Sequence, residues 1–193
     1  MPRSSSRKQQ IMETALACFT RAGYYRTSLD EIAATAGVTK AGIYYHFKSK
    51  KELFIALFND QANAFFDQLL SRIQQQPETV TRINHLFGPS SDLVPANTAI
   101  MQFCMEFMTV SARDAEIRRE VTAFYRDKID RLVTIIRDGI AEGTFRPLDP
   151  ESVARNLYFQ SWGYLLINFT IDDDFDPAQQ HQTNLQVFLH GLL

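Results

Sequence analysis

Apolar residues recur at helical spacing along the whole of this 193-residue chain, and no stretch alternates in the manner of a strand. Near the N-terminus, Met12, Ala15, Leu16 and Phe19 follow the i, i+3, i+4, i+7 spacing of one helical face. Longer stripes of the same kind continue to the C-terminus. The pattern predicts an all-α fold of about nine helices.

The strongest local signal lies in residues 28–46. Ser28 and Glu31 have the spacing of a capping box, which marks the start of a helix. Gly37 stands where that helix must end, because glycine accepts a left-handed conformation. Thr39 can cap a second helix two residues later. Two helices joined through a short turn that contains glycine are typical of a helix-turn-helix.

The second helix of this pair carries side chains that suit nucleic acid. Ile43 is its one apolar position with the character of a buried residue. Hydroxyl, ammonium and aromatic groups flank it, and such groups bind phosphates and base edges. The alternative is an ordinary corner between two surface helices that contacts nothing. The residues expected on the exposed side are Thr39, Lys40, Tyr44, Tyr45 and His46.

Charge is distributed unevenly between the two ends of the chain. The net charge is only −2, but residues 1–51 hold nine Lys and Arg against three Asp and Glu, a balance of +6. Residues 52–193 hold eleven against nineteen, a balance of −8. A basic first quarter on an acidic remainder favours a DNA-binding head attached to a domain of another kind.

Other classes of protein find little support in the sequence. Cys18 and Cys104 lie far apart, so neither a disulfide scaffold nor a zinc site is indicated, and we expect no metal and no cofactor. The polar N-terminus lacks the apolar segment of a signal peptide, and no run is long enough to span a bilayer, so a cytoplasmic protein without membrane contact is expected. Phosphate-binding loops and hydrolase motifs are absent, so an enzyme is not expected.

The head resembles the TetR family of bacterial one-component transcriptional regulators. The resemblance rests on residues 27–33, 37–40 and 43–50, followed by Glu52 and Leu53. The rest of the chain is similar only in its helix pattern. One departure is Ala41-Gly42, where the family usually has glycine and then a β-branched or small residue. A glycine inside the recognition helix costs about 1 kcal/mol of helix propensity relative to alanine.

The resemblance implies a division at residue 48. Residues 1–48 would form a three-helix DNA-binding domain, and residues 49–193 a helical domain for effector binding and dimerisation. Phosphate contacts would come from Thr27 and Lys48. The side chains that would pack on the DNA backbone are Tyr44, Tyr45 and His46. The start of the recognition helix would face bases. The complete set expected at DNA is Thr27, Ser28, Thr39, Lys40, Ala41, Gly42, Tyr44, Tyr45, His46 and Lys48.

Two further sites are expected in the larger domain. The family resemblance implies an effector cavity, and the aromatic candidates to line it are Phe103, Phe107, Tyr125, Tyr158 and Trp162. Core filling is the alternative for each of these residues. The resemblance also implies a homodimer through the last two helices, with the contact residues expected to be Trp162, Leu185, Phe188, Leu189 and Leu192.

Together these features predict a ligand-responsive, operator-binding homodimer, most simply a repressor released by a small apolar or aromatic effector. The alternative is a helix-turn-helix regulator whose C-terminal domain binds a protein partner. An apolar cavity favours a small ligand, whereas a flat exposed apolar patch favours a protein.

Overall fold

The computed structural model describes residues 3–74, 76, 78–87, 98–171, 174 and 176–193. These residues form nine helices and, within those ranges, no strand, which confirms the all-α prediction. Residues 88–92 read Gly-Pro-Ser-Ser-Asp, a composition that predicts a loop, and they lie outside the described residues. The helices are α1 Arg3–Arg26, α2 Leu29–Thr35, α3 Lys40–His46, α4 Lys50–Gln74, α5 Thr79–Phe87, α6 Thr98–Ser111, α7 Ala115–Ala141, α8 Pro150–Thr170 and α9 Pro177–Leu192.

Side-chain caps begin the helices where local sequence signals placed them. Ser28 accepts a hydrogen bond from the backbone N–H of Glu31, and Thr39 accepts one from Gly42. Asp149 and Asp176 each accept from two backbone N–H groups, and in both cases proline follows as the first helical residue. Such caps satisfy donors that have no partner inside the helix.

The chain divides into two compact units. The first comprises residues 1–65 and 97–121, and the second comprises residues 66–96 and 122–193. The first unit therefore contains α6 and much of α4 in addition to the three N-terminal helices. The predicted boundary at residue 48 does not coincide with a boundary in packing, and the division by function stays a prediction.

Aromatic rings form the centre of the first unit. The ring of Phe54 lies 4.9 Å from Phe19, 5.2 Å from Phe103 and 4.8 Å from Phe107, measured between centroids. The ring of Phe58 is stacked on that of Phe107 at 3.9 Å. Helices α1, α4 and α6 supply these rings, so burial of large apolar side chains attaches α6 to the helices of the head.

Helix α1 is interrupted before its last turn. Gly23 has a φ of +77°, inside a helix that otherwise continues to Arg26. The interruption leaves backbone groups to be satisfied by other residues. The Glu106 carboxylate of α6 accepts from the Tyr24 backbone N–H at 2.7 Å. The Lys50 ammonium donates to the Tyr24 carbonyl at 2.7 Å and the Thr27 carbonyl at 2.9 Å, and it lies 4.4 Å from the centre of the Tyr24 ring.

The second unit buries the apolar stripe of α9 in its own core. Leu185, Leu189 and Leu192 are only 2%, 6% and 3% exposed and belong to a cluster with residues of α5, α7 and α8. Phe188 and Trp162 are partly buried against the same cluster. The side chains of the three leucines are thus already covered within one subunit, and their predicted role in a dimer interface stays a prediction.

Crossing a bilayer requires a long apolar helix. Among the described residues, no helix combines the necessary length with the necessary hydropathy.

The contacts of Lys50 predict a structural function that its neighbour Lys48 does not share. Lys50→Met should lower the free energy of unfolding by about 1–3 kcal/mol, because the carbonyls at the end of α1 lose their charged donor. Lys48 is exposed, so Lys48→Met should change stability by less than about 0.5 kcal/mol. Urea unfolding of both variants checks this. Equal stabilities would contradict the anchoring contact.

Candidate nucleic-acid interface

Helices α2 and α3 are joined by a turn whose geometry is locally determined. Gly37 has a φ of +62°, as its predicted position after α2 requires. The backbone N–H of Val38 donates to the carbonyl of Ala33 at 3.0 Å, which closes the end of α2. Ile43 is fully buried and holds α3 against the unit. The result is the helix-turn-helix predicted from the sequence.

The outer surface of α3 and its flanks presents most of the predicted DNA contacts to solvent. The Tyr45 side chain is 81% exposed and that of Tyr44 is 47% exposed. His46 is half-buried, and its ring packs edge-on against Tyr45 with centroids 4.9 Å apart. Gly42 is also half-buried. The other exposed members of the predicted set are Ser28, Thr39, Lys40, Ala41 and Lys48.

Thr27 differs from the rest of the set. It is 1% exposed, and its hydroxyl donates to the Gly23 carbonyl at 2.8 Å, with the Cys18 carbonyl at 3.2 Å. Its backbone N–H also points to the Gly23 carbonyl. The side chain thus closes the interrupted end of α1, and the phosphate contact expected for it stays a prediction. A hydroxyl has one proton, and here that proton is already directed inward.

The lysines of the head differ in what their ammonium groups contact. Lys50 binds backbone carbonyls, and its burial lowers its pKa. Lys51 forms ion pairs with Asp114 at 2.7 Å and Glu116 at 3.2 Å, and hydrogen bonds to these two carboxylates raise its pKa. Lys48 is exposed, and its contact with a phosphate stays a prediction.

Lys40, the first residue of α3, contacts an acidic residue that the sequence did not single out. Its ammonium lies 2.8 Å and 2.9 Å from the two carboxylate oxygens of Asp30 on α2. The hydrogen bond to Asp30 raises the pKa of Lys40. A separation of ten residues has no simple helical periodicity, so only the folded turn brings the two groups together.

The predicted effector residues belong to different units. Phe103 and Phe107 are fully buried in the aromatic centre of the first unit, where they fill the core. The other three candidates lie together in the second unit: Tyr125, Tyr158 and Trp162. The centroid of the Tyr158 ring is 5.1 Å from that of Tyr125 and 6.1 Å from that of Trp162. Tyr125 and Trp162 are only partly buried. No group of metal-ligating side chains occurs among the residues with described positions.

Helices α8 and α9 also present an apolar outer face. Phe159, Leu166 and Val187 are 60%, 51% and 69% exposed. Between the helices is a cleft of about 290 Å³. Gly163 and Gly191 open onto free space on these helices. The residues that line the cleft are Gln160, Gly163, Tyr164, Ile167, Pro177, Gln180, His181 and Asn184.

Comparison with known proteins agrees with this architecture. Residues 11–57 match the family model described as bacterial regulatory proteins, tetR family. The chain is 28% identical over 165 residues to the HTH-type transcriptional repressor KstR2 of Mycolicibacterium smegmatis. The aligned region covers 82% of this chain and 77% of the repressor.

Two solved structures share the fold over nearly the full length. One is a transcriptional regulator FadR from Bacillus subtilis in complex with stearoyl-CoA, with a TM-score of 0.82, 19% identity and coverage of 96% of this chain and 99% of FadR. The other is a regulator from Saccharomonospora viridis in complex with choline, with a TM-score of 0.82, 23% identity and coverage of 96% of both chains.

Proposed function

The chain belongs to the TetR family of bacterial regulators, and we propose that it is a repressor that binds operator DNA as a homodimer and is released by a small ligand. Regulators of this family bind operator DNA and small ligands and work as dimers. The observation that carries the DNA-binding proposal is the outer surface of α3. Its exposed hydroxyl, ammonium and phenol groups surround a helix that one buried isoleucine holds in place.

The two kinds of contact should contribute differently to DNA binding. Phosphate contacts supply affinity for any sequence, whereas contacts to base edges supply discrimination. Lys48 is exposed beside the end of α3 and suits a phosphate. Lys40, Ala41 and Gly42 form the first turn of α3. In helix-turn-helix proteins, this end of the recognition helix contacts base edges in the major groove.

The DNA-binding proposal is tested by isolating an operator and comparing it with scrambled DNA. Wild-type protein should enrich one sequence from a random duplex library. Lys48→Met should then weaken binding to both DNAs about equally and lower the salt dependence by roughly one phosphate contact. Glu13→Gln on α1 serves as a control for a change at an exposed head residue. Failure of the wild type to enrich any sequence would refute operator binding.

The exposed face of α8 and α9 is the surface we assign to dimerisation. Phe159, Gly163 and Leu166 follow i, i+4, i+7 spacing on α8, and Asn184, Val187 and Gly191 follow i, i+3, i+7 on α9. A subunit on its own would leave the large apolar side chains of Phe159, Leu166 and Val187 in water. Two-fold symmetry is needed to present two recognition helices to successive major grooves, which lie about 34–36 Å apart for one turn of DNA.

This assignment predicts which substitutions separate the subunits. Phe159→Asp combined with Leu166→Asp should yield folded monomers in sedimentation and abolish tight operator binding, because two charges would enter the interface. Ala123→Asp places a charge on an exposed position of α7 and should leave the dimer intact. Leu185→Asp should instead unfold the second unit. A dimeric Phe159/Leu166 variant would move the interface to another surface.

For the effector, we propose a largely apolar ligand that contacts the aromatic group of Tyr125, Tyr158 and Trp162. Two of these side chains are partly buried, so they offer apolar area without being wholly used by the core. Stearoyl-CoA is the first ligand to test, because it is bound to a regulator with the same fold. Aromatic rings also bind quaternary ammonium groups, which makes choline the informative second probe.

The single tryptophan makes the effector proposal measurable. Trp162 is the only tryptophan in the chain, so a ligand beside Tyr158 should change its fluorescence. Stearoyl-CoA should do so and lower operator affinity by about 5- to 150-fold, and operator should lower stearoyl-CoA affinity by the same factor. Tyr125→Ala should weaken both effects. A response to choline alone would replace the apolar ligand with a cation.

The protein-partner alternative predicts a different result in the same experiment. If neither probe changes the fluorescence of Trp162 or the operator affinity, the exposed face of α8 and α9 becomes the better candidate for regulation. A monomeric wild type in sedimentation would then support a protein partner on that face.

A further inference from the structure

The contact between Asp30 and Lys40 lies on the surface assigned to DNA. Both side chains remain more than half exposed, at 63% for Asp30 and 58% for Lys40. Ion pairs with this exposure contribute little to folding stability, because water already solvates both charges. The pair therefore has little structural value, and its position beside the first turn of the recognition helix calls for another explanation.

An acidic side chain beside a DNA-binding surface opposes phosphate binding. Asp30 is one of three acidic residues in residues 1–51, where nine basic residues are present. Glu31, the next residue, forms an ion pair at 2.6 Å with Arg21, which belongs to α1 and not to α3. Asp30 alone of these two places its carboxylate on a residue of the recognition helix.

The geometry of the pair constrains a side chain that is otherwise mobile. A lysine has four rotatable bonds and on its own contacts whichever phosphate is near. Here both carboxylate oxygens lie within hydrogen-bond distance of one ammonium, which restricts that ammonium to the region beside the start of α3. An ammonium has three donors, so it can keep a bond to Asp30 and still donate to a further acceptor.

We propose that Asp30 is a specificity-determining residue, which holds the Lys40 ammonium for acceptors on a base edge and disfavours its use on phosphates. The N7 and O6 atoms of guanine form a pair of acceptors in the major groove that suits a lysine. On other sequences, an ammonium that moves away from Asp30 to a phosphate would leave the carboxylate facing the negatively charged backbone. The inference rests on the proposed DNA binding and adds a means of discrimination to it.

The charge of Asp30 and its contact with Lys40 can be separated by a double-mutant cycle. Asp30→Asn, Lys40→Met and the double variant are titrated against the operator selected by the wild type and against scrambled DNA. Glu31→Gln is the matched control, since it removes the same charge from the neighbouring position. Thermal unfolding of each variant confirms that the fold is kept, and Asp30→Ser repeats the test with a different side chain.

Asp30→Asn should raise affinity for scrambled DNA more than affinity for the operator, so that the ratio of the two affinities falls by roughly fivefold or more, the size of one base contact. In the Lys40→Met background the same substitution should leave the ratio unchanged. Glu31→Gln should raise both affinities equally.

Two results would overturn the inference while leaving operator binding intact. One is an Asp30→Asn variant that behaves like Glu31→Gln, with equal gains on both DNAs. The other is a fall in the ratio that persists in the Lys40→Met background, which would show that Asp30 acts without Lys40. A wild-type protein that selects no sequence would instead refute the proposed DNA binding itself.

Discussion

The interruption of α1 at Gly23 is the constraint on which the head depends. A left-handed residue inside a helix releases backbone donors and acceptors that must find partners. The partners come from distant parts of the chain, since Glu106 binds the Tyr24 N–H and Lys50 binds the carbonyls of Tyr24 and Thr27. One break therefore fixes the start of α4 and a face of α6 against α1. The helix-turn-helix that follows therefore begins from a helix end whose backbone groups are bonded to side chains of α4 and α6.

Much of the helix-turn-helix could be predicted because its determinants are local. The caps at Ser28 and Thr39 and the left-handed Gly37 involve residues within a few positions of one another. These interactions need no partner from a distant part of the chain. Thr27 shows where local reasoning stops, because its direction is set by the carbonyls of Gly23 and Cys18 across the interrupted helix end. A hydroxyl that suits a phosphate also suits a carbonyl, and only the fold decides between them.

Apolar residues pose a harder problem, because a helix in a dimer needs two apolar faces. On α9, the sequence pattern selects Leu185 and Leu189 as interface residues, yet these two side chains enter the core, and Val187, which the pattern does not select, faces solvent. Phe103 and Phe107 present the same ambiguity between core and pocket. Helical periodicity indicates that one face of a helix is apolar and buried. It does not indicate whether that face packs against the same subunit, another subunit or a ligand.

Net charge is likewise an incomplete guide to the DNA surface. The balance of +6 in residues 1–51 indicates a basic head, yet the fold directs Lys50 to carbonyls, Lys51 to Asp114 and Glu116, and Lys40 to Asp30. Each of these contacts removes some of the attraction that counting charges would assign to DNA. An ammonium with a fixed protein partner is worth less as a general phosphate ligand and more as a positioned donor. The arrangement of the lysines, more than their number, should therefore determine how strongly this head distinguishes one DNA sequence from another.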